Sequence, residues 1–467
     1  MLTLPGVARI GGLQVKSRQD KSVGISDLGI YVPPPEMDVE ALIKRRVRDN
    51  PMLDRHFERA GRVTGQSAFR FPELWEDSAT LAARSAYDLF ARSPGFDTHS
   101  LRHLIVGTET GVDHSKPVSA YVQGMLQKAG IRLPTSLSSF QTQHACAGGT
   151  FGLLSVAGLL SAGGNESDSG LVLSTDIARY ETKSTAEITQ GAGAVSLLVE
   201  SSPRLVELDI ANLGFCSRDV DDFFRPLGSI TARVNGSYSM KCYWESLHDS
   251  FLDYCARGGT KPEEELLSTD YFILHTPFRR MPEAALAKLF ERVLCFDSAR
   301  TKSFLEEKSF ASGVDPLGRI GNIYNGSLFA VLAFLLSERY QVLGEGIIGK
   351  RLLFASYGSG NTMIVFAGRV APGAPKVISQ WSLDRVLGSA RRAGFEEYEA
   401  WIAGPAQPEL YSELFSHVKP PSGAFVLNGI RKDGYREYAF TGKKEPGDHL
   451  EESGASGNLY RPVPILR

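Results

Sequence analysis

The octet Gln143-His144-Ala145-Cys146-Ala147-Gly148-Gly149-Thr150 sets one cysteine among small residues, and the apolar stretch FGLLSVAGLLSAGG follows it. The pattern predicts a buried helix that starts at the cysteine. A helix N-terminus presents unpaired N–H groups and partial positive charge, which favour thiolate over thiol. Small neighbours let a bulky acyl group reach the sulfur. The octet therefore suits a cysteine that carries an acyl group as a thioester. A buried structural cysteine is the alternative that this motif alone leaves open.

Other reactive residue types fall where apolar runs give way to loops. Glu109 follows LIVGT, Cys146 follows SSFQTQHA, His275 follows YFIL, and Ser359 sits in the glycine-flanked turn YGSG. In open α/β sheets, sites gather at the carboxyl ends of strands. Taken singly, each has a bland reading: a solvated loop acid, a hydrogen-bonded structural histidine, a tight turn. Asn322, in GNIYNGS, has the residue type of a cap for the helix after it.

The elements that must position these residues alternate. VGISDLGIYVP, LRHLIVGTET, SLSSFQTQ, GLVLSTD and GAVSLLVES read as strands, the fourth ending at Asp176. SATLAARSAYDLFARS and VSAYVQGMLQKAG have helical spacing, the second closed by Gly130 as C-cap, and EALIKRRVRDNPMLDRHFERAG is helical until Pro51 interrupts it. A second half repeats the logic: the strand YFILHTPF, the helices PEAALAKLFERVLCF and NGSLFAVLAFLLSERY, then the strands RLLFASYGSG and MIVFAGRV. This alternation predicts an α/β fold with a largely buried sheet, and the parallel between halves hints at a duplicated unit. The halves are read as residues 23–203 and 204–440. An aromatic and polar insertion near 213–260 is expected to cover a site. Residues 1–22 are expected to be a flexible extension rather than a transit peptide, and the polar, glycine-rich tail 441–467 to be mobile.

Composition narrows the function classes. The 467 residues are 42% hydrophobic and 22% charged with net charge −2, an ordinary globular balance with no basic surplus for nucleic acid or an anionic membrane. No apolar run stands out as long enough for a membrane span. Five scattered cysteines without a CxxC pair give no zinc or dithiol motif, and their odd number fits a reducing cytoplasm. The default for Cys216, Cys242, Cys255 and Cys295 is packing.

The segments IVGTETGVDHSKP, TQHACAGG, STDIARY, TQGAGAV, VDDFFRPLG, LHTPF, GNIYNGSL and SYGSG occur in this order. Together they resemble the 3-hydroxy-3-methylglutaryl-CoA (HMG-CoA) synthase family, from about Val23 to Gly368. PSGAFVLNGIRKDGYREY resembles the end of bacterial members more weakly. The resemblance implies a thiolase-like α/β fold: two similar halves in a five-layered αβαβα arrangement, assembled as a homodimer. It implies Cys146 as acyl-carrying nucleophile, Glu109 as general acid/base and His275 as a substrate-binding histidine. Asp176 and Asp222 match positions that support the site. Asn322, Tyr324 and Ser359 match residues near the bound acyl groups, and Thr189, Tyr357 and Arg280 join the expected substrate-binding set. The substrates implied are acetyl-CoA and acetoacetyl-CoA, with no metal, flavin or nucleotide cofactor.

Two departures strain the match. Members commonly carry Tyr directly after the nucleophile, where this chain has Ala147. Users of acetoacetyl-CoA often have lysines for the CoA phosphates after the histidine; here Arg280 stands for the first and Ala284 for the second, with Glu283 between. Sister enzymes of polyketide β-branching also lose these lysines and act on chains tethered to acyl carrier protein, which makes them the main rival. A scaffold protein of the same fold without turnover is a third reading.

Overall fold

The computed structural model describes residues 22–404 and 420–442. Most of the expected extension 1–22 and of the tail 441–467 lies outside the described residues. Nine strands build the central sheet: β1 Val23–Tyr31, β2 Leu101–Gly107, β3 Ser138–Thr142, β4 Ser169–Ala178, β5 Gly191–Ser201, β6 Val206–Ser217, β7 Tyr271–Leu274, β8 Arg351–Gly358 and β9 Thr362–Val370. Their spatial order is β7-β8-β9-β6-β1-β5-β4-β2-β3. β4, all of β1 but Tyr31 and most of β5 are buried, as expected of strands covered on both faces.

The duplication hinted at by the sequence is explicit in the strand pairings. On one side β2 runs parallel to β4, and β4–β5 and β5–β1 are antiparallel. On the other, β7 runs parallel to β8, and β8–β9 and β9–β6 are antiparallel. The halves join through a short pairing of Val23–Ile25 with Val206–Leu208.

Helices complete the layers. α1 (Ser78–Arg92) begins at a capping box between Asp77 and Thr80 and lays a stripe of Ala79, Ala82, Ala83 and Ala86 on the first half-sheet. α2 (Val118–Lys128) packs beside it; its cap is Ala129, with Gly130 next in the left-handed region at φ +88°. α3 (Gly148–Gly163) covers the opposite face. α4 (Gly236–Gly258) and α5 (Met281–Leu294) pack together outside the second half-sheet, and α6 (Ser327–Leu343) lies within the core, buried on all sides from Ser327 to Leu336. The result is the five-layered, thiolase-like α/β architecture.

This layering corrects the expectation on apolar length. Ala145–Gly163 and Tyr324–Ile347 are long and apolar enough to cross a membrane by length and composition, and both are majority-buried within the protein. A helix covered on every side needs apolar residues all round.

The segment near 213–260 resolves into three parts. Its start belongs to β6, and 236–258 form α4, whose Cys242, Tyr243, Phe251 and Tyr254 are core residues. Only residues 218–235, with the small pairing of Phe223–Phe224 and Arg233–Val234, lie over the cysteine. Cys295 does not pack: it is exposed and ends α5 at φ +53°.

Candidate active site

The approach to Cys146 is steric. A Cβ on Gly107, at the end of β2, would lie 2.3 Å from the Gly149 amide nitrogen, and one on Gly149 would lie 2.1 Å from Ser174 Oγ. Glycine at both positions lets the start of α3 sit directly on the strand ends. Ala145 holds φ +42°, which turns the chain so that Cys146 faces inward, 7% exposed.

Glu109, two residues past β2, points at the same place: Cys146 Sγ lies 3.7 Å from its Oε1. Burial, opposed by the nearby Arg225 cation, pushes the Glu109 carboxyl up to about 8. The sulfur does not show the lowered pKa expected of a helix N-terminus. Burial, with Glu109 and Asp176 nearby, pushes the thiol well up. α3 starts two residues after the cysteine, and desolvation beside carboxylates outweighs its partial charge. The resting sulfur is a thiol.

Asp176, fully buried on β4, ties the two reactive loops together. Its Oδ1 accepts from the Glu109 and Thr110 amides at 3.0 and 3.1 Å and from the Thr108 and Thr110 hydroxyls at 3.0 and 2.9 Å. Its Oδ2 accepts from the Asn325 amide at 3.1 Å and from Asn325 Nδ2 at 2.7 Å. Asn325 in turn donates through Nδ2 to the Ala145 carbonyl at 2.9 Å, and its Oδ1 accepts from the Gly149 amide at 2.7 Å. Glu109 and Cys146 are thus held in register by one carboxylate and one carboxamide.

Asn325 was not among the residues singled out from the sequence. Its position follows from the duplication. Ala145, three residues before α3, has φ +42°, and Tyr324, three before α6, has φ +43°. Asn325 is therefore the second half's counterpart of Cys146. The matching loop-then-helix patterns ACAGG and YNGS carried that signal.

His275 follows β7 and is buried. Its Nδ1 lies 2.6 Å from Ser327 Oγ, which also accepts from the Thr276 amide at 3.2 Å. The Ser327 hydroxyl proton then points to Nδ1, an assignment from the network that places the ring proton on Nε2. Burial pushes His275 down to about 3, so the ring is neutral, and a neutral Nε2–H is a hydrogen-bond donor. Ser327 was also missed in the sequence. Ser327→Ala is expected to raise KM for a keto substrate about fivefold, since a neutral hydrogen bond contributes about 1 kcal/mol, with the fold intact by circular dichroism.

Asp222 organises the opposite wall. Its Oδ2 accepts from the Tyr357 hydroxyl at 2.8 Å and its Oδ1 from the Gly360 amide at 2.9 Å. It thereby fixes the turn that carries Ser359, and it engages the Gly360 N–H, which is then not free to meet an oxyanion. Gly358 is forced: a Cβ would come 2.3 Å from the His144 carbonyl.

These walls enclose a cavity of about 1120 Å³. Cys146, Thr189, His275, Asn322, Tyr324, Tyr357 and Ser359 line it; Glu109, Asp176 and Asp222 stand behind that surface. Asn322 accepts the Tyr324 amide at 2.9 Å and its Nδ2 lies 3.3 Å from the Tyr180 hydroxyl. Arg280 is not on the wall: its guanidinium donates to the Arg62 carbonyl at 2.7 Å. Arg279 pairs with Glu283 and, at 2.7 Å, with Asp315. Among the described residues, no group of three or more His, Cys, Asp or Glu could hold a metal ion.

A buried cysteine, an elevated glutamate and a neutral histidine at the strand ends of a duplicated five-layered fold define a thiolase-like condensing enzyme. Two models of one family cover most of the chain: hydroxymethylglutaryl-coenzyme A synthase N terminal over residues 19–203, and C terminal over 213–318 and 298–413. The chain belongs to the hydroxymethylglutaryl-CoA synthase family. The hydroxymethylglutaryl-CoA synthase of Enterococcus faecalis is 28% identical over 411 residues, covering 88% of this chain and 99% of its own. The solved structure of MvaS in complex with 3-hydroxy-3-methylglutaryl coenzyme A is 32% identical with a TM-score of 0.77, covering 91% of this chain and all of that one. The HMG synthase of the curacin biosynthetic pathway, solved in complex with holo donor-ACP, shares the fold at 23% identity, with a TM-score of 0.74 over 90% of this chain and 100% of its own.

Proposed function

We propose that this chain condenses acetyl-CoA with acetoacetyl-CoA and water to give 3-hydroxy-3-methylglutaryl-CoA and CoA. The observation that carries the proposal is the 3.7 Å approach of Glu109 to Cys146 Sγ behind a cavity that neutral His275 also lines. Cys146 attacks the acetyl thioester; its sulfur takes the acyl group, and the thiol proton leaves with CoA. Ionised Glu109 then removes a proton from the acetyl methyl. The enolate oxygen that develops is met by the backbone N–H groups of Cys146 and Ser359. The new carbanion attacks C3 of acetoacetyl-CoA, whose keto oxygen is polarised by His275 Nε2–H and Asn322. Glu109 returns its proton to the tertiary alkoxide, and water releases the product from Cys146.

His275→Ala is expected to raise KM for acetoacetyl-CoA at least tenfold while acetylation of Cys146 persists. Steady-state kinetics with each substrate varied checks this, and an unchanged KM would remove His275 from acceptor binding.

A second reading is favoured by the engagement of Arg279 and Arg280 away from the cavity, which leaves the expected CoA-phosphate contacts unformed there. In it, the substrates are acyl chains on acyl carrier protein, as in polyketide β-branching. Turnover on carrier-bound thioesters but not on CoA thioesters would select it. A homodimer and a cytoplasmic, mevalonate-type setting complete the first reading. The half-exposed edge strand β3 supports the homodimer, and sedimentation of the purified chain tests it.

A further inference from the structure

Arg225 is the feature of the site that the steps above leave unused. Its side chain is 13% exposed, and Nη2 lies 3.8 Å from Glu109 Oε2, beyond hydrogen-bond distance. Nε and Nη2 are both buried and have no hydrogen-bond partner. The guanidinium carbon stands 5.9 Å from the Tyr324 ring centre. Buried unpaired N–H groups are unfavourable, so the resting arrangement leaves an interaction to be made.

The fold holds Arg225 in place. Three residues upstream, Asp222 is buried and fastened to Tyr357 and Gly360. The Ala232 amide donates to the Arg179 carbonyl at 2.9 Å, and Phe223 packs edge-on against Tyr324 at 5.7 Å. The segment that covers the cysteine thus carries a cation to a fixed point beside the general base. Arg225 does not line the cavity, so a substrate anion does not reach it first; Glu109 does.

We infer that Arg225 is the positioning residue that makes a buried Glu109 usable as a base: its guanidinium closes onto the ionised carboxylate and slackens when Glu109 carries a proton. This rests on the Glu109 role proposed above. The groups facing Glu109 are Arg225, Asp176 and Cys146, with the Tyr180 and Tyr324 hydroxyls nearby. Arg225 is the only cation among them, the others being acids or neutral. Loss of that cation must therefore disfavour the carboxylate and move its titration to higher pH.

The test titrates Glu109 directly. The infrared carboxyl band that disappears in Glu109→Gln is followed against pH in the full chain, and then in Arg225→Met, Arg225→Gln and Arg225→Lys. The expected midpoint is near 8 in the unaltered protein, at least one pH unit higher in the Met and Gln variants, and close to the unaltered value in the Lys variant. The pH at which condensation reaches half its maximum should move with it, about tenfold in rate at fixed pH per unit. An unchanged Glu109 midpoint in whichever neutral variant folds would overturn the inference. Because the band needs no substrate, that outcome is distinct from failure of the condensation reading, which would appear as absent turnover in the unaltered protein.

Discussion

Glu109→Ala is expected to leave acetyl transfer to Cys146 intact and to reduce condensation about 10³-fold. The two halves of the expectation come from one geometry. Glu109 sits 3.7 Å from the sulfur and its charge is among the influences that keep the thiol protonated. Replacing the carboxylate by a methyl group makes the thiolate easier to form, so acylation has no reason to slow. The acetyl methyl, by contrast, is a weak carbon acid that needs a positioned base, and no other described carboxylate stands as close to the sulfur with free oxygens; those of Asp176 are committed to six donors. Single-turnover mass spectrometry separates the steps. A variant that cannot be acetylated, or that still condenses at the normal rate, contradicts the assignment. In the unaltered protein, the base must be ionised to act, so condensation should rise as pH increases through about 8.

Asp176→Ala carries the second large effect, and it falls on stability and activity together. The substitution strands three backbone amides, one carboxamide and two hydroxyls in a fully buried place. Even with partial rearrangement, the loss is expected to be about 3–5 kcal/mol, seen as a lower midpoint of denaturant unfolding. Any folded fraction should condense at least 100-fold more slowly, because the Glu109 loop and the Cys146 loop lose the group that holds them in register. Asp176→Asn should not restore activity: its NH₂ must face either the Asn325 amide group or the Glu109–Thr110 amides, and both offer only donors there. Near-normal stability of Asp176→Ala would show that water replaces the carboxylate.

What the sequence made legible follows from what kind of information each residue needs. Strands β4, β7 and β8 were visible from their apolar runs, and Glu109, Cys146, His275 and Ser359 because reactive types sat just beyond the ends of β2, β3, β7 and β8. Their roles came from motif order rather than from spacing. Asn325, Ser327 and Arg225 escaped attention because each acts on a residue from a distant part of the chain: Asn325 on Ala145, Ser327 on His275, Arg225 on Glu109. Such contacts exist only once the chain has folded, and two of the three cross between the halves. α4 was hidden in a segment of mixed aromatic and polar pattern because one of its faces packs on β6 and β9 while the other meets solvent. The thiol's elevation was illegible for a different reason. Local sequence shows a helix start but not the carboxylates that burial brings around it.

The central claim is that Cys146 carries the acetyl group and Glu109 turns it into a carbon nucleophile. Peptide mass spectrometry after incubation with acetyl-CoA tests it most directly. The account predicts an acetyl adduct confined to the Cys146 peptide, discharged as 3-hydroxy-3-methylglutaryl-CoA when acetoacetyl-CoA is added. An adduct formed from acetyl-carrier protein alone would transfer the same chemistry to carrier-bound substrates. No adduct on Cys146 from either donor would contradict the account.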